Sequence, residues 1–452
     1  MRATPLRLAL LLALAACDRG EVTDPPAELS VDAQLRATLS QWGAIPIAPI
    51  VAQDPALVEL GRALFFDKVL SGNRDVACAT CHDPTRGLGD GRSLAVGTGA
   101  HAGIAARTLG DGRQFTPRNA PALFNAALGN FYLFWDGKVN EEGGLARFKT
   151  PAGTQLPTGL ASLVAAQAMI PVTNRVEMRG NAGDVDAAGT PNELAAIKND
   201  DFRAIWDGVM KRVLAIPGYR EKFAAAFPNV TFSALGFQHA ANAIAAFEAQ
   251  AFTKTNSPFD RYLARQDGAL TAEQKQGALL FFGRARCSSC HSGALLGGQQ
   301  FANVGAPQLG PGSGRVAPLD AGRDDFVPAN QVAPFIFRVP PLRNVELTAP
   351  YTHAGAYSTL EAVVRHYNDA EKALRTYDVS QLDPSLRASY HGDATTINAL
   401  LQTLDFRLRG PLNLTEEEQK QLVAFLKSLT DPAARDLSAI IPASVPSGLP
   451  VR

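Results

Sequence analysis

Sulfur is scarce in this 452-residue chain, which has five cysteines and four methionines. The methionines are Met1, Met169, Met178 and Met210, so no thioether is available in the second half. Apart from Cys17, the cysteines fall into two pairs, Cys78 with Cys81 and Cys287 with Cys290. That is too few for a disulfide-stapled scaffold of this length. Net charge is lacking as well: Lys+Arg and Asp+Glu both number 43, so nucleic acid is not an expected partner. The apolar run from Leu8 to Ala16 is too short to span a bilayer and follows Arg2 and Arg7, as in a secretory h-region. Apolar content of 46% supplies ordinary globular cores, and 30 prolines with 39 glycines imply short helices joined by many loops.

The chain is built around Cys78-Ala79-Thr80-Cys81-His82 and its later counterpart Cys287-Ser288-Ser289-Cys290-His291. Two cysteines spaced by two residues, with histidine directly after, is the attachment signal of a c-type haem. Each thiol adds to one porphyrin vinyl group, and the adjacent histidine is held at the iron as axial ligand. The competing readings are a four-cysteine zinc site or two disulfides. The histidines after each pair, which such a site does not need, and the long separation of the pairs favour two haems.

In chain order, Leu14-Ala15-Ala16-Cys17 resembles a bacterial lipobox, in which Cys17 is acylated; the alternative is an ordinary signal peptide that discards it. The expected layout is a leader over 1–17, a polar tether over 18–45 and an N-terminal haem domain over 46–260. A C-terminal haem domain follows over 261–452, its last helix free to pack back on the first. Gly61 precedes Phe65-Phe66 as Gly277 precedes Phe281-Phe282, which implies two related domains. Thr271 with Gln274, and Thr415 with Glu418, are capping boxes. The last helix carries the apolar stripe Leu422, Phe425, Leu426 and Leu429. Residues 233–252 read as a helix on which His239 is structural, and 253–270 as the junction. The stretches 143–159 and 180–191 read as inserted loops. The fold class is mainly α, with two cytochrome c-type domains.

The two motifs, together with Arg118-Asn119-Ala120-Pro121, Phe134-Trp135-Asp136-Gly137, Glu177-Met178 and the run Leu342 to Tyr351, resemble the bacterial di-haem cytochrome c peroxidase and MauG superfamily, from about residue 50 to about 430. The resemblance implies a peroxidatic haem on His82, with Gln167, Pro171 and Glu177 on its distal side. Cleavage of a peroxide O–O bond needs a group that moves a proton from the near to the leaving oxygen, and a carboxyl in an apolar pocket suits that work. It also implies His101 as a ligand of the resting first haem, Trp135 between the haems, and a calcium ion held by Asn119, Thr348 and Pro350. The family's second-haem ligand lies 19 residues after the calcium-site threonine, which here is Tyr367. His366 is the rival. The implied reaction is reduction of hydrogen peroxide to water with electrons from a small cytochrome c or copper protein. One alternative is MauG-like oxidation of side chains in a partner protein; another is plain electron transfer. The expected location is the periplasm, anchored through lipidated Cys17, and the resemblance leaves room for a homodimer.

Overall fold

The computed structural model describes residues 29–101, 107–142, 144, 147–328 and 331–451; Cys17 and its leader lie outside them. The described chain is mainly helical. In order come α1 (Val31–Gln41), α2 (Pro55–Phe66), α3 (Cys78–Cys81), α4 (Leu163–Ala168), α5 (Phe202–Leu214), α6 (Pro217–Ala226) and α7 (Phe237–Phe252). Then follow α8 (Pro258–Leu263), α9 (Ala272–Phe282), α10 (Leu360–Asn368), α11 (Ala370–Arg375), α12 (Ala394–Gln402) and α13 (Glu416–Lys427). Two small antiparallel ribbons complete it. β1 (Tyr132–Leu133) pairs with β2 (Val139–Asn140), and β3 (Phe301–Ala302) with β4 (Phe337–Arg338). Among the described residues, no helix is long and apolar enough to cross a membrane.

Two separate cores share one design. Asp54 caps α2 with Pro55 in its first turn, and Thr271 with Gln274 closes a capping box on α9. Each of these helices crosses a later one at a glycine. A Cβ on Gly61 would stand 1.9 Å from the Ala243 carbonyl and 2.9 Å from Phe247 Cβ on α7. A Cβ on Gly277 would stand 1.9 Å from the Gln421 carbonyl and 2.9 Å from Phe425 Cβ on α13. The paired phenylalanines then close on those partners: Phe65 lies 5.3 Å from Phe247 by ring centroids, and Phe281 lies 5.1 Å from Phe425. The backbones can touch only where the side chain is missing, so the glycine spacing seen in the sequence is a packing device used twice.

Along this stretch Phe252 belongs to the first core and Phe259 to the second. The two ends of the chain depart from the expected layout. Residues 31–41, read as part of a tether, form α1, and Leu35 and Leu39 are buried in the second core beside α9. The polar composition that suggested a linker hid an amphipathic helix started by Ser30. At the other end α13 stays within the second core, and the segment after it returns to the first. There Ala434, Leu437 and Val445 are buried, Arg62 Nε donates to the Ile440 carbonyl at 2.6 Å, and Ser447 Oγ donates to Asp67 at 2.6 Å. The alanine-rich helix begins at Phe237 because Gly236 breaks it from a short turn at Phe232–Ala234.

Candidate active site

Residues of both motifs line one continuous cavity of about 510 Å³. Cys81, His82, Gln167, Glu177 and Glu248 come to it from the first unit; Cys287, Cys290, His291 and Tyr367 come from the second. Asn119, Trp135, Thr348, Pro350 and His353 also stand on its wall. The four motif cysteines are free thiols, which removes the disulfide reading. No group of three or more His, Cys, Asp or Glu among the described residues is arranged to hold a metal, so the four-cysteine zinc site does not assemble. Burial pushes the Cys78 and Cys287 thiols up to about 12.

The two histidines are held alike. His82 Nδ1 lies 3.1 Å from the Leu88 carbonyl, and His291 Nδ1 lies 3.1 Å from the Leu296 carbonyl. A carbonyl can only accept, so each Nδ1 carries the proton and each Nε2 keeps its lone pair, the form an iron ligand needs. Burial lowers both imidazoles to about 4, which keeps them neutral. The wall is also cationic. Arg338 is buried, its Nε donates to the Phe134 carbonyl at 2.9 Å, and no carboxylate pairs with it among the described residues. Burial lowers it to about 10, and the nearby Asp136 carboxylate only partly offsets this. Paired vinyl-reactive thiols, neutral imidazoles and a guanidinium with no carboxylate in direct contact fit two haems, whose propionates would supply that contact.

Glu177 is presented by a single π-helical turn, Arg175–Arg179, whose first amides are capped by Asn174 Oδ1 at 2.9 and 3.1 Å. Such turns widen the backbone locally and are common at functional sites. Gly97 packs under it: a Cβ there would stand 1.9 Å from the Val176 carbonyl. Burial raises the Glu177 carboxyl, and the nearby Lys138 ammonium partly offsets this. Lys138 also lines the cavity, its Nζ 4.2 Å from the Phe134 ring centroid. Gln167, in α4, shares this wall; Pro171 starts the next short turn and does not line the cavity.

Trp135 Nε1 donates to the Asn119 carbonyl at 2.9 Å, and the Asn119 amide donates to the His353 carbonyl at 2.7 Å. The loop carrying Trp135 is clamped by Arg118, which joins Asp136 to Asp320 in the second unit through an Nε–Oδ2 contact of 2.6 Å. His101 is elsewhere: it is exposed, 3.6 Å from Asp111, and does not line the cavity. A bridge to Thr108 holds it on the surface, so the structure does not place it as a ligand. His366 is buried with both ring nitrogens engaged, Nδ1 with the Tyr357 hydroxyl at 2.8 Å and Nε2 with the Val304 carbonyl at 2.7 Å. Tyr367, its neighbour, is the one on the cavity wall.

Sequence reasoning missed Lys138 and Glu248. Glu248 is buried on α7, Oε2 has no hydrogen-bond partner, and burial raises it to about 8. A lone carboxyl inside Ala245-Ala246-Phe247-Glu248-Ala249 was the available signal. Of the two inserted loops, that near 180–191 grips the approach to the first motif: Asp184 accepts from Asn73 at 3.0 Å and from Arg113 at 2.6 Å.

A family described as di-haem cytochrome c peroxidase matches residues 55–268. The chain is 33% identical to the cytochrome c551 peroxidase of Pseudomonas aeruginosa, over 72% of this chain and 75% of that protein. It is 29% identical to the methylamine utilization protein MauG of Methylorubrum extorquens, over 89% of this chain and 86% of that one. A crystal structure of a MauG-like protein associated with microbial copper homeostasis superposes with a TM-score of 0.58 at 26% identity, covering 87% of this chain and 95% of that one.

Proposed function

The chain belongs to the di-haem cytochrome c peroxidase family and is a peroxidase-type oxidoreductase; from that premise we propose that it reduces hydrogen peroxide to water in the periplasm with electrons from a small redox protein. The observation that carries the reading is the presence of Glu177, a carboxyl raised by burial, in the same cavity as His82. When bound, the haem on His82 supplies the iron at which the peroxide O–O bond is cleaved, and the haem on His291 supplies a second electron-carrying centre. Cys78, Cys81 and His82 would hold the first; Cys287, Cys290 and His291 would hold the second. Glu177 accepts the proton of the near peroxide oxygen and returns it to the departing one, so that water leaves. Gln167 hydrogen-bonds and orients the incoming peroxide, with Pro171 shaping the turn behind it. Trp135, hydrogen-bonded to Asn119, lies on the electron route. Asn119, Thr348 and Pro350, all on the cavity wall, would hold a calcium ion. Cys17 is the proposed lipid anchor.

Steady-state peroxide consumption with reduced cytochrome c tests the reading. Sustained turnover supports it, and a purified di-haem protein that leaves peroxide untouched reduces it to an electron carrier.

A second reading, MauG-like oxidation of side chains in a partner protein, draws support from the second haem pocket. No methionine follows Met210, both nitrogens of His366 are engaged, and Tyr367 lines the cavity beside Cys287 and Cys290. A phenolate is a hard, anionic donor that lowers a haem potential, whereas a thioether raises it. Resonance Raman of the oxidised holoprotein should show phenolate modes that vanish in Tyr367→Phe and persist in His366→Ala. Spectra unchanged in the Phe variant would remove Tyr367 as a ligand and weaken the second reading.

A further inference from the structure

The π-helical turn that presents Glu177 ends on the carbonyls of Glu177, Met178 and Arg179, and all three are tied to the stretch of chain entering the first Cys-x-x-Cys-His motif. The Gly72 amide donates to the Met178 carbonyl at 2.8 Å. Asn192 Nδ2 donates to the Arg179 carbonyl at 2.7 Å and to Asn73 Oδ1 at 2.8 Å. The Glu177 carbonyl takes the Thr98 amide at 3.1 Å. Thr98 is buried, and its hydroxyl donates to Asp75 Oδ1 at 2.7 Å, while the Gly99 amide donates to Asp75 Oδ2 at 2.6 Å. Carbonyls at the end of a helical turn have no partner within it, so these outside donors fix where the turn stands.

Of these ties, the one through Thr98 reaches Glu177 itself and closes on a carboxylate. Asp75 stands three residues before Cys78, so its carboxylate is a short, fixed length of chain from the haem attachment point. A carboxylate only accepts, and here each of its oxygens takes one donor of the 98–99 segment. That segment meets the turn with no side chain between them, since a Cβ on Gly97 would stand 2.9 Å from the Glu177 Cα. Arg107 steadies it from behind, Nε donating to the Val96 carbonyl and Nη1 to the Asp75 carbonyl, each at 3.3 Å. We propose that Asp75, acting through Thr98, is a positioning residue that holds Glu177 in register with the haem on Cys78 and Cys81. This role rests on the peroxidase reading above, in which Glu177 carries a proton between two oxygens of one small substrate. Such a transfer needs the carboxyl within hydrogen-bond reach, and a misplacement of about 1 Å costs on the order of 10²-fold in rate. Asp75→Asn keeps the shape but turns an amide NH2 toward one of the two donors, so one of the two hydrogen bonds is lost.

The experiment measures steady-state peroxide consumption by the holoprotein with reduced cytochrome c, alongside haem content and absorption spectra. Asp75→Asn and Thr98→Val should each lower kcat, Asp75→Asn by on the order of 10²-fold, with both haems bound and their spectra unchanged. Thr98→Ser keeps the hydroxyl and should stay within about threefold of wild type. A positioning residue has nothing left to position once its target is gone. Adding Asp75→Asn to Glu177→Gln should therefore change the residual rate by less than about twofold. An equal loss from Asp75→Asn in both backgrounds overturns the assignment, because Asp75 then acts on something other than Glu177. Asp75→Asn and Thr98→Val both within about threefold of wild type overturn it too. Should Asp75→Asn fail to take up haem, Thr98→Val against Thr98→Ser decides: a loss in Thr98→Val that is absent in Thr98→Ser supports the tie, and equal rates in the two overturn it. All of these outcomes leave the peroxidase reading standing. A di-haem wild type without peroxide turnover, or a Glu177→Gln variant as active as wild type, removes that reading and the positioning role with it.

Discussion

Glu177, half-buried, and Glu248, buried, are both carboxyls on one cavity, and their surroundings set them apart. Glu177 has a cation near it, and in the proposed reaction it acts as a base first, so its ionised form would be the active one. Turnover should fall as pH drops through its raised pKa. Glu177→Gln should keep both haems and cost roughly 10²–10⁴-fold in turnover, read in the steady-state peroxide assay. Lys138→Met removes the charge that lowers this pKa, so the acid limb of the pH profile should move to higher pH. A limb that stays put or moves down would separate Lys138 from Glu177.

Glu248 has no such cation, and its raised pKa is a statement about stability. Between the ordinary carboxylate value of 4.5 and about 8, the folded state holds a proton that the unfolded state has released. Stability from this group is therefore complete below 4.5 and is lost as pH rises toward about 8. Glu248→Gln, neutral throughout, should melt above wild type at about pH 8, with the gap closing toward pH 4.5. Calorimetry across that range checks the sign.

At the scale of elements, the crossings of α2 with α7 and of α9 with α13 are the repeated unit. Each depends on a glycine whose missing Cβ lets a carbonyl of the partner helix approach. Gly61→Ala and Gly277→Ala should each destabilise by about 1–3 kcal/mol or more through overpacking, measured by urea denaturation of the holoprotein. Gly268→Ala, with open space where its Cβ would go, is the control and should be near neutral. The same crossing sets Phe65 and Phe281 in place, so loss of stability should come with altered haem-pocket spectra. The π turn at Arg175–Arg179 is the opposite kind of element. It is held by one asparagine cap and by the close approach of Gly97, and it exists to present a side chain rather than to fill a core.

For the molecule as a whole, the two units are bound by exchange of their ends and by one buried charge cluster. α1 lies on the second core and residues 434–451 on the first, so each end of the described chain crosses to the other unit. Arg118 joins Asp136, beside Trp135, to Asp320 across the cavity wall, and all three side chains are nearly inaccessible. Both carboxylates hold the guanidinium protonated, and its removal leaves two buried anions facing each other. Arg118→Met should cost about 3–5 kcal/mol, and most of that should be recovered in the triple variant that also carries Asp136→Asn and Asp320→Asn. Thermal unfolding of the two variants side by side decides this. An Arg118→Met protein as stable as wild type would mean that the cluster contributes nothing to holding the units together.

The sequence alone determined what rests on local covalent chemistry and short spacing. The two Cys-x-x-Cys-His motifs, the duplicated glycine–phenylalanine offsets and the capping boxes at Thr271 and Thr415 can be read without a fold, because each is complete within a few residues. Glu177 and Tyr367 were legible only through a resemblance, since neither has a local pattern that separates it from a solvated or core residue. Tertiary structure decided the rest. It turned a stretch read as tether into α1, because burial of Leu35 and Leu39 depends on a core more than two hundred residues away in the chain. It kept His101 on the surface beside Asp111 and engaged both nitrogens of His366, outcomes set by Thr108, Tyr357 and Val304 rather than by neighbours in the motif. It also brought Glu248 and Lys138 to the cavity. Whether a charge is buried or paired depends on what the distant chain places against it, and no spacing rule records that.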